Sequence, residues 1–85
     1  MPSKTVTVGS SVGLHARPAA IISEAAGELD SEVTLAVNGE EPVDAASSLL
    51  IMTLGASCGD TVEVAGDSQA DVDLIAALVE KDLDA

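Results

Sequence analysis

The chain contains no phenylalanine, tyrosine or tryptophan, so its hydrophobic core has to be built from aliphatic side chains. Hydrophobic residues still make up 47% of the 85 residues, which excludes an intrinsically disordered chain. No apolar run approaches the roughly 20 residues that a transmembrane helix needs. The length predicts one domain over residues 1–85 with a thin core, because short chains bury a smaller share of their surface.

Basic residues are also scarce. Three Lys and Arg residues stand against 15 Asp and Glu residues, which gives a formal net charge of −12. Such a chain repels nucleic-acid phosphates and lacks the basic patch that docks proteins on anionic lipids. We therefore expect neither nucleic-acid binding nor membrane insertion.

Cysteine occurs only once, as Cys58. An intramolecular disulfide is therefore impossible, and the simplest interpretation is a protein of the reducing cytoplasm. No second Cys or His lies near it in the sequence, so we predict neither a metal site nor a bound cofactor. Residues 1–5 lack the apolar stretch of a secretory signal, which agrees with a cytoplasmic location.

The spacing of apolar residues indicates both strands and helices. A period of two predicts four strands, over residues 4–8, 32–37, 41–43 and 61–65. Helical spacing predicts three helices, over residues 16–26, over residues 44–54 and from residue 69 onward. The order β-α-β-β-α-β-α indicates an α+β fold, in which one sheet carries the helices on one face.

Glycines mark the expected ends of elements. Gly27 and Gly55 are predicted to follow the first and second helices directly. Asn38-Gly39 predicts a hairpin turn between the second and third strands.

The last helix has the clearest signals. Ser68 and Asp71 fit the S-x-x-D pattern of a capping box. Apolar residues then recur at helical spacing and predict one buried stripe, formed by Val72, Ile75, Ala76, Val79 and Leu83.

The single histidine lies in the segment Gly13-Leu14-His15-Ala16-Arg17-Pro18, where a loop meets the start of a helix. Unpaired N–H groups and the positive end of the helix dipole make such a place an anion site. The Arg17 guanidinium matches phosphate oxygens in a bidentate manner. Two interpretations stay open on these residues alone. Either His15 is reversibly phosphorylated, or it merely caps the helix beside a solvated Arg17.

The hexapeptide Gly-Leu-His-Ala-Arg-Pro, the chain length and the element order together resemble the HPr family. These proteins are the histidine-containing phosphocarriers of the bacterial phosphoenolpyruvate:sugar phosphotransferase system. The resemblance implies an open-faced β-sandwich, with a four-stranded antiparallel sheet and three helices on one face. We accordingly expect a cytoplasmic monomer.

The same resemblance implies a role for each residue of the motif. His15 would accept a phosphoryl group on Nδ1 from phosphorylated enzyme I and pass it to a histidine of a sugar-specific enzyme IIA. Arg17 would steady the phosphoryl group during both transfers. The protein is then a phosphocarrier turned over on its own histidine, not an enzyme.

A second site is implied near the start of the second helix. The segment Ala46-Ser47-Ser48 resembles the region where Gram-positive members carry a regulatory serine, and Ser47 matches that position. A serine kinase acting on Ser47 would then be a further partner. Two departures oppose this, since Ala46 replaces a basic residue and Ser48 a bulky aliphatic one of many relatives. The alternative is that Ser47 only caps the helix.

The second helix is also the predicted docking region. Leu49, Leu50 and Met52 cannot all face inward on so short a helix. In the family this region forms an apolar patch beside the histidine, so Leu49 and Met52 are the predicted partner-contacting residues. The alternative for each is ordinary core packing.

A competing function is a regulatory binding module of the same fold, acting through Ser47 and the apolar patch while His15 is idle. The complete His-Ala-Arg-Pro run favours the carrier, because a pure regulator does not need it. A true enzyme has little support, since one His, one Cys and no Gly-rich nucleotide motif leave few groups for an active site.

Overall fold

A computed structural model describes residues 2–10, 13–37 and 40–81 of the chain. These residues form the elements β1 (Ser3–Thr7), α1 (Ala16–Gly27), β2 (Val33–Val37), β3 (Val43–Asp44), α2 (Ser48–Thr53), β4 (Thr61–Gly66) and α3 (Gln69–Glu80). The predicted α+β class and element order are confirmed. The predicted turn at Asn38-Gly39 lies outside the described residues.

The strands form one antiparallel sheet in the order β1-β4-β2-β3. Val6, Val62 and Val37 stand opposite one another across the three longer strands. Along β4 the side chains alternate, so that Val62 is buried while Glu63 is exposed on the other face. The helices cover only the buried face, which confirms the open-faced β-sandwich.

The core between sheet and helices consists of small aliphatic side chains. The helices contribute Ala19, Ile22, Ala26, Val72, Ile75, Ala76 and Val79 to it. Alanine lets α3 pack closely on β1 and β4 and lets α1 pack against α2 and α3, which offsets the absence of aromatic volume. The predicted stripe of the last helix is confirmed for its first four members, and Leu83 lies outside the described residues.

The second helix is shorter than the predicted 44–54. Asp44 belongs to β3, and its carboxylate accepts a hydrogen bond from the Ala46 amide at 2.9 Å, which turns the chain before the helix. The helix begins only after Ser47, whose Oγ accepts a hydrogen bond from the Leu50 amide at 3.3 Å. The prediction was wrong because a local carboxylate bond competes with helix formation.

The other boundaries differ only slightly from the prediction. The first, second and fourth strands span Ser3–Thr7, Val33–Val37 and Thr61–Gly66 instead of residues 4–8, 32–37 and 61–65. Gly27 is the last residue of α1 instead of the residue after it, and Glu28 forms the C-cap in a right-handed conformation. The third strand spans Val43–Asp44 instead of residues 41–43. All of these shifts are of the one or two residues by which element ends commonly vary.

The capping box of the last helix is formed only in part. The Ser68 hydroxyl accepts a hydrogen bond from the Asp71 amide at 3.4 Å, as predicted. The Asp71 carboxylate instead accepts a hydrogen bond from the Ser31 hydroxyl at 2.6 Å. Asp71 therefore joins the start of α3 to the segment before β2.

None of the helices in the described part of the chain is long and apolar enough to cross a bilayer.

Candidate functional site

His15 is the N-cap residue of α1 and is exposed to solvent. Its backbone is extended, with φ −89° and ψ −161°, and its carbonyl accepts a hydrogen bond from the Ala19 amide at 2.9 Å. The imidazole itself forms no capping hydrogen bond. His15 therefore caps the helix only through its backbone carbonyl. Its imidazole ring is left available for chemistry.

The loop before His15 is fixed by close packing against the segment that follows α2. Gly13 is buried with φ +77°, a region that favours glycine, and a Cβ there would collide with the Ala56 carbonyl oxygen. The Leu14 amide donates a hydrogen bond to the same oxygen at 2.9 Å, and the Leu14 side chain is buried in the core. These contacts fix the backbone next to His15.

The other end of this loop is anchored at the C-terminal end of α3. The Gly9 amide donates a hydrogen bond to the Val79 carbonyl at 3.1 Å, and a Cβ on Gly9 would collide with the Glu80 carbonyl. The buried Ser10 hydroxyl donates to the Lys81 carbonyl at 3.4 Å. The loop thus uses carbonyl groups that the end of α3 leaves without intrahelical partners.

Arg17 lies two residues after His15, in the first turn of α1, and is exposed. It forms no ion pair with any other residue that the structure describes. Because Pro18 has no N–H and the Ala19 amide bonds to the His15 carbonyl, the free donors of this first turn are the Ala16 and Arg17 amides. The Arg17 guanidinium and these backbone amides therefore belong to the same end of α1 as the imidazole, where an anion site is expected.

A family model described as "PTS HPr component phosphorylation site" matches residues 2–81. The chain belongs to the HPr family. As a member of this family it is a phosphocarrier component of the phosphotransferase system.

Individual relatives agree with the family model. The chain is 39% identical to "Phosphocarrier protein HPr" of Streptomyces coelicolor, with 99% of this chain and 94% of that protein covered. It is 38% identical to "Phosphocarrier protein NPr" of Shewanella violacea, with 95% and 91% covered. The crystal structure of HPr-C-His from Thermoanaerobacter tengcongensis superposes with a TM-score of 0.84 at 29% identity, covering 94% of this chain and 92% of that one.

Ser47 is the N-cap of α2 in this HPr-family chain and is half-buried. Its Oγ accepts a hydrogen bond from the Leu50 amide, so the capping alternative describes its structural role. The Ser47 hydroxyl accepts in that bond and does not donate its own proton. Capping therefore does not prevent phosphorylation of the hydroxyl. Phosphorylation of Ser47 stays a prediction.

The exposed face of α2 is apolar. Leu49, Leu50 and Met52 are exposed to 68%, 41% and 37%, while Ile51 is fully buried. Leu49 is therefore not packed in the core. Met52 buries only part of its side-chain surface and exposes the rest. Leu50 was not predicted as a contact residue, yet it is more exposed than Met52. Contact of these side chains with a partner stays a prediction.

The Cys58 thiol is exposed in the loop between α2 and β4. Within the described ranges, no group of three or more His, Cys, Asp or Glu side chains is placed to hold a metal ion.

Three residues that position His15 were not predicted from the sequence, namely Gly13, Leu14 and Ala56. Gly13 stands in the signature itself, but its contact with Ala56 joins positions 43 residues apart, which no local pattern shows.

Proposed function

We propose that this chain carries a phosphoryl group on His15, taking it from phosphorylated enzyme I and passing it to a histidine of enzyme IIA in sugar uptake. The observation that carries the proposal is the exposed imidazole at the N-cap of α1, which forms no capping hydrogen bond. Membership of a family whose model describes a phosphorylation site supports it.

The transfer uses the lone pair of Nδ1 of His15 as the nucleophile. A nitrogen–phosphorus bond forms while the bond from phosphorus to the donor atom breaks, and that electron pair stays on the donor. The second transfer reverses these roles, since Nδ1 is then the leaving group and the acceptor histidine supplies the lone pair. Little covalent chemistry falls to the protein beyond positioning and charge stabilisation.

Arg17 and the first amides of α1 stabilise the transferred group. The guanidinium presents parallel N–H donors to two phosphoryl oxygens, and the Ala16 and Arg17 amides add the positive end of the helix dipole. Because Arg17 forms no ion pair with a described residue, no protein carboxylate has to be displaced first. The proposed role of Arg17 rests on this free guanidinium.

The protein is a reactant in both transfers, because the first transfer leaves it covalently changed and the second restores it. It is therefore a carrier and not an enzyme. We place it in the cytoplasm as a monomer, where a small carrier diffuses between its donor and its acceptors.

Phosphorus-31 NMR tests the proposal directly. Incubation with enzyme I and phosphoenolpyruvate should produce a phosphoramidate signal assigned to Nδ1, and omission of enzyme I should abolish it. His15→Ala should give no such signal and should lose well under about 1 kcal/mol of stability, because its imidazole makes no capping bond. If the His15→Ala variant is still phosphorylated, the acceptor is a residue other than His15.

A further inference from the structure

Ser10 is the only polar residue that is buried in the part of the chain that the structure describes. Its side chain exposes none of its surface, and a hydroxyl taken out of water costs free energy unless it finds a hydrogen-bond partner. One partner is the Lys81 carbonyl, which accepts a hydrogen bond from the Ser10 hydroxyl at 3.4 Å. This bond connects the loop before His15 to the residue that follows α3, 71 positions away in the sequence.

The C-terminal end of α3 depends on this loop. Within the described residues, the helix ends without the left-handed residue or the basic side chain that commonly completes a helix, since Lys81 is extended with φ −82° and ψ 145°. The Val79 carbonyl accepts a hydrogen bond from the Gly9 amide at 3.1 Å. Together with the Ser10 hydroxyl, this amide serves carbonyl groups that a C-cap would otherwise satisfy.

Ser10 is linked to the backbone of His15 as well. Its carbonyl accepts a hydrogen bond from the Gly13 amide at 2.9 Å. The next amide along the chain, that of Leu14, donates to the Ala56 carbonyl at 2.9 Å, and His15 follows directly. Ser10 therefore bonds to the end of α3 through its hydroxyl and to the residue two positions before His15 through its carbonyl.

The backbone of His15 matters because the imidazole has no capping hydrogen bond that would hold the ring by itself. The position of Nδ1 therefore depends on the loop that carries the residue. A misplacement of about 1 Å can cost about 100-fold in the rate of a reaction between positioned groups. Since the Ser10 side chain is fully buried, it touches neither a phosphoryl donor nor an acceptor, and it can act on the transfer only through this loop.

We infer that Ser10 is a positioning residue for phosphoryl transfer, because its hydroxyl fastens the loop before His15 to the C-terminal end of α3. This role rests on the proposed function of His15. Without the hydroxyl, the loop keeps the hydrogen bond from the Gly9 amide but loses its other described attachment to the end of α3. The imidazole would then sample more positions, fewer of which place Nδ1 in line with the phosphorus atom.

The test compares Ser10→Ala with Ser31→Ala as a matched control. Each change removes one hydroxyl that fastens a loop to an end of α3, because the Ser31 hydroxyl donates to the Asp71 carboxylate at 2.6 Å. Ser31 lies beyond the C-terminal end of α1, whose 12 residues extend roughly 18 Å from His15. Ser10→Ala should lower the melting temperature by about 2–10 °C, and Ser31→Ala by at least as much, because hydrogen bonds to charged groups are stronger.

The measured quantities are kcat and KM for phosphoryl transfer from enzyme I, at a temperature where all three proteins are folded. Ser10→Ala should lower kcat by about 5- to 10-fold, with KM within about twofold of wild type, because a buried side chain changes positioning and not docking. Transfer onward to enzyme IIA should slow by a similar factor, since both steps use the same imidazole. Ser31→Ala should leave both constants within about twofold of wild type.

Amide hydrogen exchange measured by NMR reports on the loop directly. In Ser10→Ala the Gly13 amide should exchange faster by a larger factor than the amides of β4, whose exchange follows the stability of the whole fold. In Ser31→Ala the two sets of amides should change by the same factor. A merely structural role of Ser10 would speed up exchange of all these amides equally and would leave kcat unchanged.

Three results would overturn the inference: a kcat of folded Ser10→Ala within about twofold of wild type, an equal loss of kcat in Ser31→Ala, or a change in KM alone. Failure of the proposed function would look different, because wild type would then take up no phosphoryl group. If the inference alone is wrong, wild type is phosphorylated on His15 and one of these three results is observed.

Discussion

At the scale of single residues, the site depends on what Arg17 can donate. Arg17→Ala should slow transfer from enzyme I by about 10- to 100-fold, because charge-assisted hydrogen bonds to the phosphoryl group contribute about 1.5–3 kcal/mol. Arg17→Lys should be a milder change, since an ammonium keeps the charge but loses the planar pair of donors.

Stopped-flow measurement of phosphoryl transfer from enzyme I to the three proteins checks this order. Melting temperatures provide the control and should agree, because Arg17 is exposed and forms no ion pair with a described residue. Equal transfer rates in wild type and both variants would remove Arg17 from the mechanism.

Gly13 positions His15 through the backbone. Gly13→Ala should destabilise the fold by about 1–3 kcal/mol, because the residue has φ +77° and an added Cβ collides with the Ala56 carbonyl. Gly55→Ala is the matched control, since Gly55 also has positive φ, at +66°, but no atom within 4 Å of an added Cβ.

Chemical denaturation gives the two free energies of unfolding, and transfer rates measured below the melting range show the effect on His15. Gly13→Ala should lose both stability and rate, whereas Gly55→Ala should lose stability alone. A normal transfer rate in folded Gly13→Ala would mean that the Ala56 contact does not position the histidine.

At the scale of elements, α2 combines a helix cap with an exposed apolar face. Met52→Glu should weaken enzyme I binding at least tenfold, because a charge in an apolar contact must be desolvated. Leu74→Glu on α3 is the matched control, since Leu74 is 48% exposed but lies on a different helix.

Calorimetric titration with enzyme I should show a loss of affinity for Met52→Glu only, and both variants should melt close to wild type. If Met52→Glu melts early yet binds normally when folded, Met52 acts in packing and not in docking.

The cap of α2 leads to a different prediction. Phosphate on Ser47 would bring about −1.5 to −2 charges into the carboxylate-free stretch 45–59, next to Leu49 and Met52. Ser47→Asp should therefore slow phosphoryl transfer to His15, with less effect at high salt because the charge lies at the surface. Thermal stability should change little, since Asp caps helices as well as Ser does.

Ser68→Asp makes the same change at the cap of α3 and should leave the transfer rate within about twofold of wild type. Ser47→Ala separates charge from capping, because it removes the cap at a cost of about 0.5–2 kcal/mol but adds no charge. Identical rates in wild type, Ser47→Asp and Ser47→Ala would leave Ser47 with a capping role only.

Local sequence patterns predict some of these elements and miss others. The strands and the stripe on α3 were predictable because periodicity is a local property, confirmed at Val62, Val72 and Ile75. The start of α2 was not, because the Asp44 carboxylate competes locally with helix formation. His15 and Arg17 were found through a contiguous motif. The loop anchors at Gly13 and Gly9 need contacts 43 and 70 residues away in the sequence, which no local pattern shows.

At the scale of the whole molecule, the acidic charge opposes folding. Among residues 2–10, 13–37 and 40–81 no carboxylate forms an ion pair, so the charge of −12 acts mainly by mutual repulsion. Sodium chloride screens this repulsion over distances of about 10 Å at 0.1 M. It should therefore stabilise the protein, whereas a chain held together by surface ion pairs would lose stability.

We expect the melting temperature to rise by roughly 4–8 °C between low salt and about 1 M sodium chloride, which corresponds to about 1 kcal/mol for a domain of this size. Replacing two exposed acids, Glu41→Gln and Glu63→Gln, should raise the melting temperature at low salt and reduce the further gain from salt.

Sodium chloride is the suitable salt, because sulfate strengthens apolar burial in any protein. A melting temperature that falls as sodium chloride is added would show that attractive charge pairs outweigh repulsion. A gain of equal size in the neutralised variant would assign the effect to something other than carboxylate repulsion.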